Sequence, residues 1–143
     1  MTGSHGQSPR DVPREVRGAL EALVAPFRPL FAAHGLTEQQ WRVLRALQDG
    51  VTSQVELAEA CVMHPASLTG VLARMQRVGL VERRRSADDQ RKVEVALTTT
   101  GDELVLRLLP EVAERYRELA RKVGAEALED LAGAAAVFRE RAS

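Results

Sequence analysis

At 143 residues, 45% of them hydrophobic and 28% charged, the chain fits one domain with a sizeable core better than two. Only five residues are aromatic (Phe27, Phe31, Trp41, Tyr116 and Phe138), whereas Ala, Leu and Val abound, which favours helices packed through small side chains over a β-sandwich. A formal net charge of zero excludes a global basic excess, yet the charge is unevenly spread. Between Arg74 and Lys92 seven basic residues stand against three acidic ones, so a chain that is neutral overall can still turn one basic face to phosphate.

A single cysteine, Cys61, excludes an intramolecular disulfide, and no Cys/His cluster has zinc-ligand spacing. No apolar leader core opens the chain and no apolar run is long enough to span a bilayer. A cytoplasmic protein without cofactor, metal or membrane association is expected. Residues 1–10, with Gly3, Ser4, Gly6, Ser8 and Pro9, read as a disordered start, leaving 11–143 as a single domain.

Residues 11–34 are helical by spacing of Val16, Ala19, Leu20, Leu23 and Val24, with Pro26 and Pro29 bending or breaking the run. Thr37 to Gln40 forms a capping box that opens a helix through Trp41, Val43, Leu44 and Leu47 and ends near Gly50. A second box, Ser53 to Glu56, starts a short helix bearing Val55, Leu57, Ala58 and Cys61. The next helix begins at Pro65 and runs to Val78, with Leu68, Val71, Leu72 and Met75 on one side, until Gly79 stops it. Two short helices separated by a few residues make a helix-turn-helix.

After Gly79 the period changes to alternation: 80–84 and 93–97 read as strands, with Val93, Val95 and Leu97 on one face. The charged stretch 85–92 between them is a hairpin with an exposed basic tip, a wing. Thr98, Thr99 and Thr100 offer caps for a long helix from about Asp102 to Lys122, bent at Pro110, and Gly124 separates a last helix that carries Leu128, Leu131, Ala135 and Phe138. The terminal helices hold more apolar surface than one small lobe can cover, which implies a second copy of the chain. The expected fold class is mostly α (α+β): a winged helix-turn-helix lobe at 36–101 flanked by dimerisation helices at 11–35 and 102–143.

In such an arrangement the first residues of the second helix reach base edges in the major groove. Here they are Pro65, Ser67, Leu68 and Thr69: Ser67 and Thr69 as donors to bases or phosphate, Leu68 as core or as a contact to a thymine methyl. Arg74 and Arg77 are spaced for phosphates. Arg84, Arg85, Gln90, Arg91 and Lys92 belong to the wing, where an arginine can enter the minor groove. Asp89 is read as holding Arg91 extended through a charge-assisted bond. The plain alternative is a capped helix with a solvated face and hairpin tip.

The stretch from Gly79 to Arg83, followed by 89–98 and Gly101, resembles the wing signature of the MarR family. The likeness extends to Leu57-Ala58 and Ser67-Leu68-Thr69. Within the family, 36–45 and 65–74 resemble the homoprotocatechuate and aromatic-catabolism repressor branch. Gln90 departs from the arginine that many members carry. The resemblance implies a homodimer joined by its terminal helices, binding a pseudopalindromic double-stranded DNA operator and releasing it when a small aromatic carboxylate or phenol binds.

A ligand of that kind needs a cation for its charge and an apolar slot for its ring. Arg28, His34, Trp41, Arg42 and Arg45 supply both, with Trp41 as ring wall and Arg28 or Arg45 as the bidentate partner; the alternative is a core tryptophan among surface arginines. Cys61 is read as buried and inert, the alternative being an oxidation sensor. With no nucleophile–base pair, phosphate loop or metal constellation, an enzyme is not expected. The remaining rival, a winged-helix protein-interaction module, would lack the steep salt dependence of a DNA binder.

Overall fold

The computed structural model describes residues 11–143; the disordered start expected at 1–10 lies outside the described residues. Helix α1 (Val12–Val24) begins where the Asp11 carboxylate accepts from the Arg14 amide, with a proline in the first turn where its missing N–H costs nothing. Near Pro26 the run gives way to one 3-10 turn (Ala25–Phe27), and α2 (Arg28–Ala33) then resumes. The first helical run is broken at the prolines.

Helix α3 (Glu38–Gln48) has the full capping box: the Gln40 amide donates to Thr37 Oγ1 at 3.1 Å and the Thr37 amide donates to Gln40 Oε1 at 3.0 Å. Helix α4 (Gln54–Ala60) is capped from one side only, by the Ser53 hydroxyl. This corrects the second box: Ser53 bridges to Glu94, and the Val95 amide donates to the Thr52 carbonyl, so the segment ahead of α4 is engaged with a strand. Helix α5 (Pro65–Arg77) starts at Pro65, where His64 Nδ1 accepts from the Ala66 amide, and buries Leu68, Val71, Leu72 and Met75.

Strands β1 (Val81–Arg85) and β2 (Val93–Leu97) pair antiparallel, with Val81 opposite Leu97 and Arg85 opposite Val93. Of the three threonines, Thr98 is the cap of α6 (Thr99–Val123). Pro110 lies inside this helix without ending it. Gly101, in its first turn, is packed so closely that a Cβ there would lie 2.2 Å from the Leu80 carbonyl oxygen. Gly124, at φ +92°, turns the chain into α7 (Ala125–Ala142).

One core joins α2, α3, α4, α5, the hairpin and α6. Helices α1 and α7 bury no residue of their own. Val12, Val16 and Leu20 on α1, and Leu131, Val137 and Phe138 on α7, are exposed, Phe138 at 70%. Among the described residues no helix is long and apolar enough to cross a membrane.

Candidate nucleic-acid interface and ligand pocket

The helix-turn-helix exposes Pro65, Ser67 and Thr69 at the start of α5 and Arg74 and Arg77 towards its end. Leu68 does not join them. It is fully buried, because the apolar period that holds α5 against the core runs through it; of its two readings the structure supports core, and its place among the expected DNA contacts is corrected. The Thr69 hydroxyl donates to the Pro65 carbonyl at 3.0 Å and accepts from Gln54 Nε2 at 3.2 Å. Its proton is thereby committed, which leaves Thr69 one lone pair and a methyl group.

The wing is tied at both ends. Arg83 Nε donates to Gln76 Oε1 at 2.8 Å, linking β1 to the end of α5, and Arg85 Nη1 donates to the Gln90 carbonyl at 2.7 Å across the tip. Arg84 faces Glu94 at 3.8 Å. Ser86 is buried, its amide donating to the Lys92 carbonyl and its hydroxyl accepting from the Asp88 amide. The role expected of Asp89 is corrected: Oδ1 accepts from the Arg91 backbone N–H at 3.0 Å, the nearest donor two residues on, as in an Asx turn. The Arg91 side chain is exposed, and among the described residues Arg74, Arg77, Arg91 and Lys92 have no ion-pair partner. These four cations, which also lack a hydrogen-bonded side-chain acceptor among the described residues, are available to phosphates.

A second feature lies where α1, α3 and α6 meet. It is an open hollow of about 670 Å³, lined by Leu20 and Leu23 of α1, Trp41, Arg42 and Arg45 of α3, and Val112 and Tyr116 of α6, among others. Four of the five aromatic residues gather here: Phe27 and Tyr116 have ring centroids 4.7 Å apart, and Phe31 and Trp41 stack at 5.3 Å. Trp41 is both core and wall. Arg45 donates to the neutral Gln48 side chain, and among the described residues no carboxylate lies within ion-pair distance of it.

Of the other expected ligand residues, Arg42 also lines the hollow, whereas Arg28 and His34 fall outside it. Arg28 forms a two-pronged pair with Glu21 and lines an adjoining smaller hollow; that pair holds the Glu21 carboxyl below the usual carboxylate range. His34 caps the end of α2, with Nε2 3.3 Å from Glu111 Oε2. Arg42 reaches the Cys61 carbonyl through Nη1, while its Nε sits 2.9 Å from Glu38 Oε1 without the alignment of a hydrogen bond. Cys61 is buried, and burial raises its thiol pKa, with Arg42 opposing less strongly. A buried thiol held protonated is a poor oxidation sensor.

Sequence reasoning missed Tyr116 and Glu38. Tyr116 was recoverable from the stripe Leu109, Val112, Ala113 and Tyr116, which keeps helical spacing along one face of α6. Glu38 carried no signal, since an acid in a first helical turn is ordinary.

A profile of the MarR family matches residues 34–92. The homoprotocatechuate degradative operon repressor of Escherichia coli is 42% identical over 115 residues, 79% of this chain and 77% of the relative. Among solved structures, transcriptional regulator PA4135 aligns at a TM-score of 0.85 and 34% identity over 93% of this chain and 98% of its own. NadR, solved in complex with 4-hydroxyphenylacetate, aligns at 0.78 and 34% identity over 92% and 95%. On its winged helix-turn-helix and on these likenesses together, the chain belongs to the MarR family of DNA-binding transcription regulators.

Proposed function

We propose that the chain works as a homodimer that represses an aromatic-compound catabolic operon and releases its operator when a small aromatic carboxylate fills the hollow between α1, α3 and α6. The observation that carries this reading is the coincidence of four aromatic rings with one uncompensated arginine, Arg45, in a hollow of ligand size. The guanidinium of Arg45 takes the carboxylate, and Trp41 and Tyr116 bound the ring. The names of the relatives support the same class: one represses a degradative operon for an aromatic acid, and another is solved with one bound.

In the DNA-binding role, residues 36–101 form the lobe, and Ser67 and Thr69 enter the major groove with Pro65 beside them. Arg74, Arg77 and Lys92 meet phosphates, and Arg91 reaches the minor groove from the wing. The exposed apolar faces of α1 and α7 cover one another across the two-fold axis, which sets two α5 helices roughly 34 Å apart on one face of a duplex.

The test combines two titrations. A duplex selected from a randomised pool by the protein should bind less tightly as salt rises, on a linear log–log slope. Adding 4-hydroxyphenylacetate should raise the melting temperature and release that duplex, and Arg45→Ala should abolish both effects of the acid while retaining DNA binding. An acid that binds without weakening the DNA complex would overturn the release mechanism, and a flat salt response would overturn DNA binding itself.

A further inference from the structure

We propose that Arg42 is the positioning residue through which a ligand in the hollow reaches the recognition helix, by way of Glu38, the Arg42 guanidinium and the Cys61 carbonyl. This rests on the ligand-release reading above but assigns a route that the reading leaves open.

Arg42 touches both the hollow and the turn ahead of the recognition helix. Together with Leu20, Val24 and Glu38 it lines both the large hollow and the adjoining one, and Glu38 and Arg42 are the polar residues of that shared wall. Its Nη1 donates to the Cys61 carbonyl, which is the C-cap of α4. Three residues later His64 caps α5. The guanidinium therefore holds the turn from which the recognition helix starts.

That turn is strained. Val62, a β-branched residue, sits at φ +51°, in the left-handed region that such residues rarely occupy. Its amide donates to the Glu59 carbonyl and the Met63 amide to the Ala58 carbonyl, and the Arg42 bond closes the same loop from the side of α3. On the hollow side the tie is incompletely satisfied, since Arg42 Nε is buried near Glu38 Oε1 without an aligned acceptor. A ligand group that engages Glu38, or that takes a prong of the guanidinium, re-aims this planar fork as a unit. The carbonyl then loses its donor and the strained turn relaxes. The lobe gains a second arrangement, and the ligand shifts the population only to the extent that it binds that arrangement better.

Backbone hydrogen exchange across 58–66 and operator affinity are the readouts, with 4-hydroxyphenylacetate as the probe and the selected duplex as the DNA. In the parent, the acid should speed exchange of the Val62 and Met63 amides by about tenfold while weakening DNA binding. In Arg42→Gln, with Arg45 still present to hold the acid, exchange should already be fast without it. DNA binding should start about tenfold weaker, and the acid should change it by less than about twofold. Far-ultraviolet dichroism and Trp41 emission verify that the variant is folded.

Unchanged exchange in the parent at saturating acid, accompanied by DNA release, would overturn the route while leaving the functional reading intact. So would an Arg42→Gln protein that releases DNA by the parental factor. If the acid neither binds nor releases DNA, the functional reading fails on its own, and the acid-free comparison still decides the tie: parental exchange rates in Arg42→Gln would refute it.

Discussion

Single residues divide sharply into those that hold the lobe and those left for DNA, and neighbours on one helix turn fall on opposite sides. Leu68→Ala removes a fully buried side chain and should cost about 2–5 kcal/mol in denaturant unfolding, whereas Ser67→Ala should leave stability within about 0.5 kcal/mol and weaken operator binding. Arg91→Ala should also spare stability while lowering the slope of affinity against salt by about one contact; equal slopes for variant and parent would remove Arg91 from the interface. For Cys61 the folded pKa is raised, so folding favours the neutral thiol. That contribution is complete at neutral pH and is lost as pH climbs through the raised value. Alkylation of the native protein should accordingly stay slow at pH 8, and unfolding should restore ordinary thiol reactivity.

Among the elements, the junction between the wing and α6 leaves least room for change. Gly101 accepts no Cβ because the Leu80 carbonyl occupies that space, and both partners are pinned, Leu80 by its hydrogen bond from the Thr98 amide and α6 by the Thr98 cap. Gly101→Ala should therefore destabilise the lobe by about 1–3 kcal/mol, read as a lower denaturant midpoint with an unchanged slope. Further along α6, Glu114 accepts from Arg117 and Arg121, which lower its pKa. This contribution is present above the ordinary carboxylate pKa and is lost as pH falls through the lowered one. All three side chains are well solvated, so the effect on stability is small.

At the scale of the whole molecule, the terminal helices are the unfinished part. Helix α1 runs Val12, Val16 and Leu20 along one exposed stripe, and α7 buries nothing. A second copy is the covering our reading requires. Phe138→Asp should shift sedimentation towards the monomer and weaken operator binding by more than any single phosphate contact does, because one lobe alone cannot span two half-sites. A variant that sediments as the parent does would remove Phe138 from the interface.

The sequence by itself determined the order of the elements, since caps, prolines and glycines act locally: Thr37 with Gln40, Pro65 after His64, and Gly124 between the last two helices all mark boundaries through bonds to near neighbours. It also determined the wing, because a change of hydrophobic period is visible without any partner. Only the tertiary structure decided which polar groups remain available. Arg28 and Arg45 are equivalent as letters, yet Glu21 takes one across a helix break while the other lines the hollow that holds four rings. Asp89 spends its carboxylate on a backbone amide, and Arg42 spans two helices to reach a carbonyl 19 residues away. Such pairings are fixed by distances through space, and helical period and capping rules hold no information about them.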